Sequence, residues 1–274
     1  MNTYSLAHQG GTLVYDEIGD GPLVICVPSM GDLRAEYRFL APQLAASGYR
    51  VISLDVRGHG ATSANWPDYS VGAIGSDLLA LLRSLNAGPA IIIGTSMAAG
   101  AAVWAAAEAP ELVSGLVLIG PFVHGEPSRL GKLLYTALFA RPWGAAMWLW
   151  YYSTLYPTKK PADFAQYSAA LRANLAEPER MKALWRMITA SKAAAASRLA
   201  QVTAPVFVLM GSKDPDFKTP EVEAQWVAEN LRGKYKMIPG AGHYPQAEMP
   251  EVTAPLILEF LQTLPVAAAR AYGA

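Results

Sequence analysis

Along the chain, short and continuously apolar runs alternate with longer stretches of helical period. The apolar runs, rich in β-branched residues, lie at 12–19 (TLVYDEIG), 23–28 (LVICVP), 50–55 (RVISLD), 90–95 (AIIIGT), 115–120 (GLVLIG), 204–211 (APVFVLMG) and 234–240 (KYKMIPG). Runs that stay apolar without alternating predict strands covered on both faces, hence a mostly parallel central sheet in an α/β fold with flanking helices. Helices are predicted between them at 33–48, 71–88, 97–110 and 220–233. Pro220 opens the last and Gly233 closes it, while Gly48 and Gly88 end two others, which is the expected asymmetry of helix ends.

The rhythm breaks once. Between Pro121 and Ala204 no strand pattern occurs, and helical periods appear around 131–139, 162–175 and 179–199. The expected organisation is a core of residues 1–120 and 205–264, a helical cap inserted at 121–204, and a frayed tail at 265–274.

Composition narrows the function classes. With 274 residues and 52% hydrophobic content the chain can bury a large core, and a formal net charge of +0 gives no global field for a polyanion, so nucleic acid is not an expected partner. The single cysteine, Cys26, sits in a strand-like run and reads as a buried small hydrophobe, in keeping with a cytoplasmic location. The N-terminus lacks the basic and apolar regions of a signal peptide. The long uncharged stretch from Leu133 to Tyr156 is interrupted by Arg141 and Pro142, so no transmembrane segment is expected. Nothing in the sequence speaks to oligomeric state.

Candidate chemistry sits at strand ends. In GTSMAAG (94–100) a serine, Ser96, falls where a buried strand turns into a helix, flanked by residues small enough to let the turn close tightly. Such a turn projects the hydroxyl and places it at a helix N-terminus, which favours developing negative charge. In LMGSKDPDF (209–217) Asp214 follows a strand and could orient an imidazole, with Asp216 as its rival. In IPGAGHYPQAEMPE (238–251) His243 occupies a glycine-rich loop after the last strand. His8 and His124 read as surface or packing residues. His59, in DVRGHGATS (55–63), reads as part of a turn locked by Asp55 and Arg57. Nucleophile, acid and base thus occur in the order Ser96, Asp214, His243, each after its own strand.

On these motifs, together with VPSMGD (27–32), the sequence resembles the α/β-hydrolase superfamily along nearly its whole length. The resemblance implies Ser96 as nucleophile, His243 as general base and then acid, and Asp214 as the orienting carboxylate. It also implies an oxyanion hole from the backbone N–H groups of Met30 and Met97, with no metal or organic cofactor required. Two departures stand out: Ala98 replaces the second glycine of the elbow, and Pro28-Ser29 stands where many members have His-Gly. The expected activity is hydrolysis of a medium-sized, largely apolar ester, thioester or lactone. Trp143, Trp148 and Tyr152 are candidate substrate contacts in the cap, as is Ser29, although the plainer expectation for any one aromatic is packing of the cap onto the core. Lys159-Lys160 beside the aromatics raises docking on a lipid surface as a third use of the cap. Relatives with the same three residues also perform cofactor-free perhydrolysis, cleave carbon–carbon bonds, or act as ligand sensors with little turnover.

Overall fold

The computed structural model describes residues 1–125, 128–140 and 142–265. Arg141, expected to help interrupt the apolar run, and all but the first residue of the expected tail lie outside the described residues. In chain order the elements are β1 (Asn2–His8), β2 (Gly11–Ile18), β3 (Leu23–Val27), α1 (Leu40–Ala46), β4 (Arg50–Asp55), α2 (Val71–Leu85), β5 (Ala90–Thr95), α3 (Met97–Glu108) and β6 (Val113–Ile119). The helices α4 (Arg129–Leu138), α5 (Gly144–Thr154), α6 (Phe164–Ala176), α7 (Pro178–Thr189) and α8 (Ala193–Ala196) follow, and then β7 (Val206–Gly211), α9 (Pro220–Asn230), β8 (Lys234–Ile238), α10 (Pro245–Glu248) and α11 (Pro250–Gln262).

The strands form one eight-stranded sheet in the order β1-β2-β4-β3-β5-β6-β7-β8. Strand β2 runs antiparallel to both its neighbours, and every pair from β4 to β8 is parallel. This is the α/β-hydrolase fold: a mostly parallel sheet flanked by helices. The central strands β3, β5 and β7 are buried at every position, because α2, α3 and α9 cover one face while α1 and α11 cover the other. That double cover is why their sequences read as unbroken apolar runs. Cys26 is buried within β3, and burial raises its thiol pKa.

From β3 the chain steps to β4 on one side, and β5 then returns on the other side of β3. At such a switch point the loops leaving the two strands part and open a crevice beyond their carboxyl ends. The loop after β3 carries Ser29, Met30 and Gly31, and the loop after β5 carries Ser96.

Strand β1 was not anticipated. Its sequence NTYSLAH is exposed along most of its length at the sheet edge, so it lacks the apolar signature of the inner strands. Helix α5 also escaped the periodicity, since GAAMWLWYYST is apolar on all sides. The helix expected at 33–48 is shorter: a 3-10 turn at Arg34–Tyr37 precedes α1, which begins only at Leu40. The pattern expected to run from 179 to 199 stops as a continuous helix at Thr189, where Ala190 turns extended at ψ 144.

The DVRGHGATS turn is locked as expected. Asp55 accepts from the backbone N–H of Arg34 at 2.7 Å and of Ala61 at 2.8 Å. Arg57, fully buried, donates to both oxygens of Asp77 at 2.7 and 2.6 Å and lies 4.5 Å over the ring of Trp66.

Candidate active site

Ser96 joins β5 to α3 with φ 58 and ψ −122, a backbone region that a side-chain-bearing residue enters only when its surroundings hold it there. The holding groups are visible. Its N–H donates to the Ile119 carbonyl at 2.8 Å, and its own carbonyl accepts from Ala99 and Phe122, each at 3.1 Å. Gly94 lets α3 close down on β5, for a Cβ there would stand 2.7 Å from the Ala98 carbonyl oxygen. Ala98 is itself buried, so its methyl fits where the family pattern has glycine.

His243 follows β8 and pairs with the loop after β7. Its Nδ1 lies 2.7 Å from Asp214 Oδ2 and 3.7 Å from Asp216 Oδ2. His243 and Asp214 are buried, so the pair is shielded from water. Burial alone pulls the imidazole down, but the carboxylates of Asp214 and Asp216 more than offset it and hold the group up at about 9. The second carboxylate is also engaged: Asp216 accepts from the Tyr151 hydroxyl, and its backbone N–H donates to Asp214 Oδ1 at 3.0 Å.

Gly120, at the end of β6, ties His243 to Ser96. A Cβ there would stand 2.9 Å from the His243 ring and 3.3 Å from Asp214 Oδ2, while the preceding carbonyl, of Ile119, holds the Ser96 amide. The structure therefore brings Ser96, Asp214 and His243 to one end of the sheet. No hydrogen bond joins Ser96 Oγ to the imidazole; such contacts commonly tighten only when substrate binds.

The turn after β3 completes the floor. Gly31 has φ 74 and donates its N–H to His59 Nε2 at 3.0 Å. His59 Nδ1 lies 3.2 Å from the Arg57 carbonyl, so the proton sits on Nδ1 and Nε2 accepts. Burial lowers His59 to about 4, which keeps it neutral in this role. A Cβ at Gly31 would stand 2.4 Å from the Trp148 ring, whose Nε1 donates to the Gly31 carbonyl at 3.3 Å. The backbone N–H groups of Met30 and Met97 donate to no group of the chain among the described residues.

Beneath these loops lies a brace that the sequence did not reveal. Buried Glu36 accepts the Ser29 N–H at 2.8 Å and the Gln246 side-chain amide at 2.8 Å. Gln246 also donates to Thr95 Oγ1 at 3.2 Å, and the Tyr37 hydroxyl meets the same oxygen at 2.7 Å. Burial, with Asp32 adding its charge, pushes the Glu36 carboxyl well up. Gln246 stands three residues after His243, the one available hint of a role at the site.

A cavity of about 460 Å³ opens above Ser96's neighbours, lined by Met30, Met97, Phe122, Trp148, Tyr151 and Asp216 among others. Of the candidate substrate contacts, Trp148 lines it. Trp143 does not: it is half exposed at the start of α5, with Nε1 donating to Ala137. Tyr152 does not either, being fully buried with its hydroxyl 2.9 Å from that of Tyr156. The Ser29 hydroxyl is turned inward, 2.6 Å from the Tyr244 hydroxyl. Phe122, Tyr151 and His124, the last paired with Glu223 at 2.7 Å, line the space instead. Asp214, Asp216 and His243 place ligand-type atoms within 4.8 Å of one another, but a cation could enter only by breaking the 2.7 Å bond between two of them.

Comparison with known proteins bears on the family and the fold. The chain is 27% identical over 266 residues, 92% of its length and 98% of the relative's, to a Mycobacterium tuberculosis protein named "Putative non-heme bromoperoxidase BpoC". It is 25% identical over 264 residues to the karrikin insensitive 2 receptor IA of Petunia hybrida, covering 89% of this chain and 92% of that one. In fold it is similar to the solved esterase EaEST of Exiguobacterium antarcticum, with a TM-score of 0.84 at 19% identity over 96% of this chain and all of the other. The profile of the alpha/beta hydrolase fold family matches residues 22–250, and the chain belongs to that family.

Proposed function

We propose that the protein is a serine hydrolase that cleaves a carboxylic ester-type bond of a medium-sized, largely apolar substrate. The observation that carries this reading is the strained Ser96 backbone beside a buried His243–Asp214 pair. The substrate carbonyl sits in the cavity with its oxygen toward the Met30 and Met97 N–H groups. Ser96 Oγ attacks the carbonyl carbon as its proton passes to His243 Nε2, while Nδ1–H stays bonded to Asp214. The tetrahedral oxyanion takes hydrogen bonds from the two free amides. His243 then gives the proton to the departing alkoxide or thiolate. Water, losing a proton to the same nitrogen, attacks the acyl-serine, and His243 passes that proton to Ser96 Oγ as the acid leaves.

The helices between Pro121 and Ala204 serve as a cap in this scheme. The Leu155 carbonyl accepts the His243 N–H at 3.0 Å, Arg38 of the core pairs with Asp163 at 2.6 Å, and Trp148 closes over Gly31. The lining is mostly aromatic, methionine and aliphatic side chain, which favours an apolar acyl or alcohol group. A lone buried thiol is in keeping with the cytoplasm as the place of action. No helix among the described residues is long and apolar enough to cross a membrane.

The test is labelling with a fluorophosphonate probe: the native chain is expected to label and Ser96→Ala to lose the label. Persisting label in the variant would move the nucleophile elsewhere. A second reading, peracid formation from acetate and peroxide, is favoured by the relative named as a bromoperoxidase. It uses the same acyl-serine, with peroxide in place of water, and comparing the two rates on one preparation separates the activities.

A further inference from the structure

The residue before Met30 is held at every polar atom it has. Ser29 donates its N–H to Glu36 Oε2 at 2.8 Å, accepts the Asp32 N–H on its carbonyl at 3.3 Å, and sets its hydroxyl 2.6 Å from that of Tyr244. The same hydroxyl lies 3.3 Å from the Met30 carbonyl, which can only accept, so the serine donates there and accepts from Tyr244. Ser29, Glu36 and Tyr244 are each 1% exposed, and water competes for none of these bonds.

The carbonyl of Ser29 and the N–H of Met30 belong to one rigid peptide plane. Fixing Ser29 therefore fixes the direction of the Met30 N–H, one of the two amides that the mechanism above aims at the oxyanion. The turn needs outside support. Pro28, the first residue after β3, has no N–H with which to tie it down. Where many members of the family have glycine, Ser29 adds a hydroxyl and with it a second point of attachment.

The two attachments come from different parts of the chain. Glu36 lies in the 3-10 turn at Arg34–Tyr37, and its other oxygen accepts the Gln246 amide at 2.8 Å. Tyr244 directly follows His243, and its ring packs on those of Tyr152 and Tyr156 with 5.4 Å between centroids in each case. A carboxyl is costly to bury and a leucine of similar bulk is not, so what Glu36 contributes is the hydrogen bonds it accepts.

We propose that Glu36 and Tyr244 are positioning residues: they clamp Ser29 by its amide and its hydroxyl and so aim the Met30 N–H at the developing oxyanion. The inference rests on the serine-hydrolase reading and adds to it the groups that set the oxyanion hole.

The experiment measures kcat and KM on a p-nitrophenyl ester, with kcat counted per serine labelled by a fluorophosphonate so that misfolded chain does not lower it. Native turnover is expected to vanish in Ser96→Ala. A misaimed amide weakens the transition state more than the bound substrate, so Glu36→Leu should lower kcat about tenfold to a hundredfold with KM within about threefold. Glu36→Gln should recover most of that loss. Its amide oxygen accepts the Ser29 N–H, and Gln246 can turn over to meet its NH2, because Gln246 Oε1 is buried without a partner among the described residues and gives up no bond. Tyr244→Phe and Ser29→Ala should each lower kcat about threefold to tenfold, and the double variant no further than either, since both remove the same bond. Should Glu36→Leu fail to fold, this pair decides alone. Unchanged kcat in Tyr244→Phe, a rise in KM in place of the fall in kcat, or a Glu36→Gln enzyme as impaired as Glu36→Leu would each overturn the clamp while Ser96-dependent turnover keeps the hydrolase reading. Absent native turnover, or turnover that Ser96→Ala leaves intact, overturns the hydrolase reading and the clamp with it.

Discussion

Asp214 and Asp216 reach the same imidazole from one loop, at 2.7 and 3.7 Å, and neutralising each in turn separates orientation from charge. The imidazole stands at about 9 against an ordinary 6.5 despite burial that opposes its charge, a net preference for imidazolium of roughly 3 kcal/mol. In the proposed role of general base it must be neutral, so kcat/KM should rise with pH along a limb well above 6.5. Asp216→Asn removes one of the two stabilising charges and leaves the Nδ1 bond in place, so the limb should move down by about one pH unit with its plateau little changed. Asp214→Asn removes the acceptor that fixes the proton on Nδ1. Its plateau should fall about a thousandfold or more, as orienting carboxylates of this kind do elsewhere. The assay is kcat/KM on a p-nitrophenyl ester from pH 5 to 10 for the three proteins. A limb that stays put or rises in Asp216→Asn, or an Asp214→Asn variant milder than Asp216→Asn, would refute the assignment.

Three further outcomes follow from the same geometry. His59 is neutral and buried with its pKa lowered to about 4, so its stabilising contribution is present above 6.5 and lost as pH falls toward 4; urea unfolding at pH 7 and 4.5 should show the native chain losing roughly 2–3 kcal/mol more than His59→Gln. Arg57→Ala leaves Asp77 buried without its partner and should cost about 3–5 kcal/mol, seen as a melting point lowered by roughly 10 °C. Gly94→Ala drives a methyl to 2.7 Å from the Ala98 carbonyl and should cost about 1–3 kcal/mol while lowering kcat about a hundredfold by shifting Ser96, so an active Gly94→Ala enzyme would contradict the account of the elbow.

Much of this architecture was legible in the sequence because its signals are local. Inner strands covered on both faces must be apolar at every position, as in Ile91, Ile92 and Ile93, and a tight elbow needs small residues around Ser96. What escaped was whatever depends on distant partners or lacks a period. Strand β1 is exposed at an edge, and α5 is apolar all round. Glu36 and Gln246 are 210 residues apart and meet only once the sheet is built. Aromatic crowding announced a lined cavity but not its lining, since Trp148 and Tyr152 stand one turn apart on α5, yet Trp148 reaches the cavity while Tyr152 packs against Tyr156, Phe164 and Tyr244.

The brace of Glu36, Gln246 and Thr95 has a mechanical meaning. It fastens the turn that bears Met30, the elbow that bears Ser96 and the loop that bears His243 to one another below the site. Those three segments therefore travel as a unit, and admission of a bulky substrate has to come from displacement of the aromatic wall overhead.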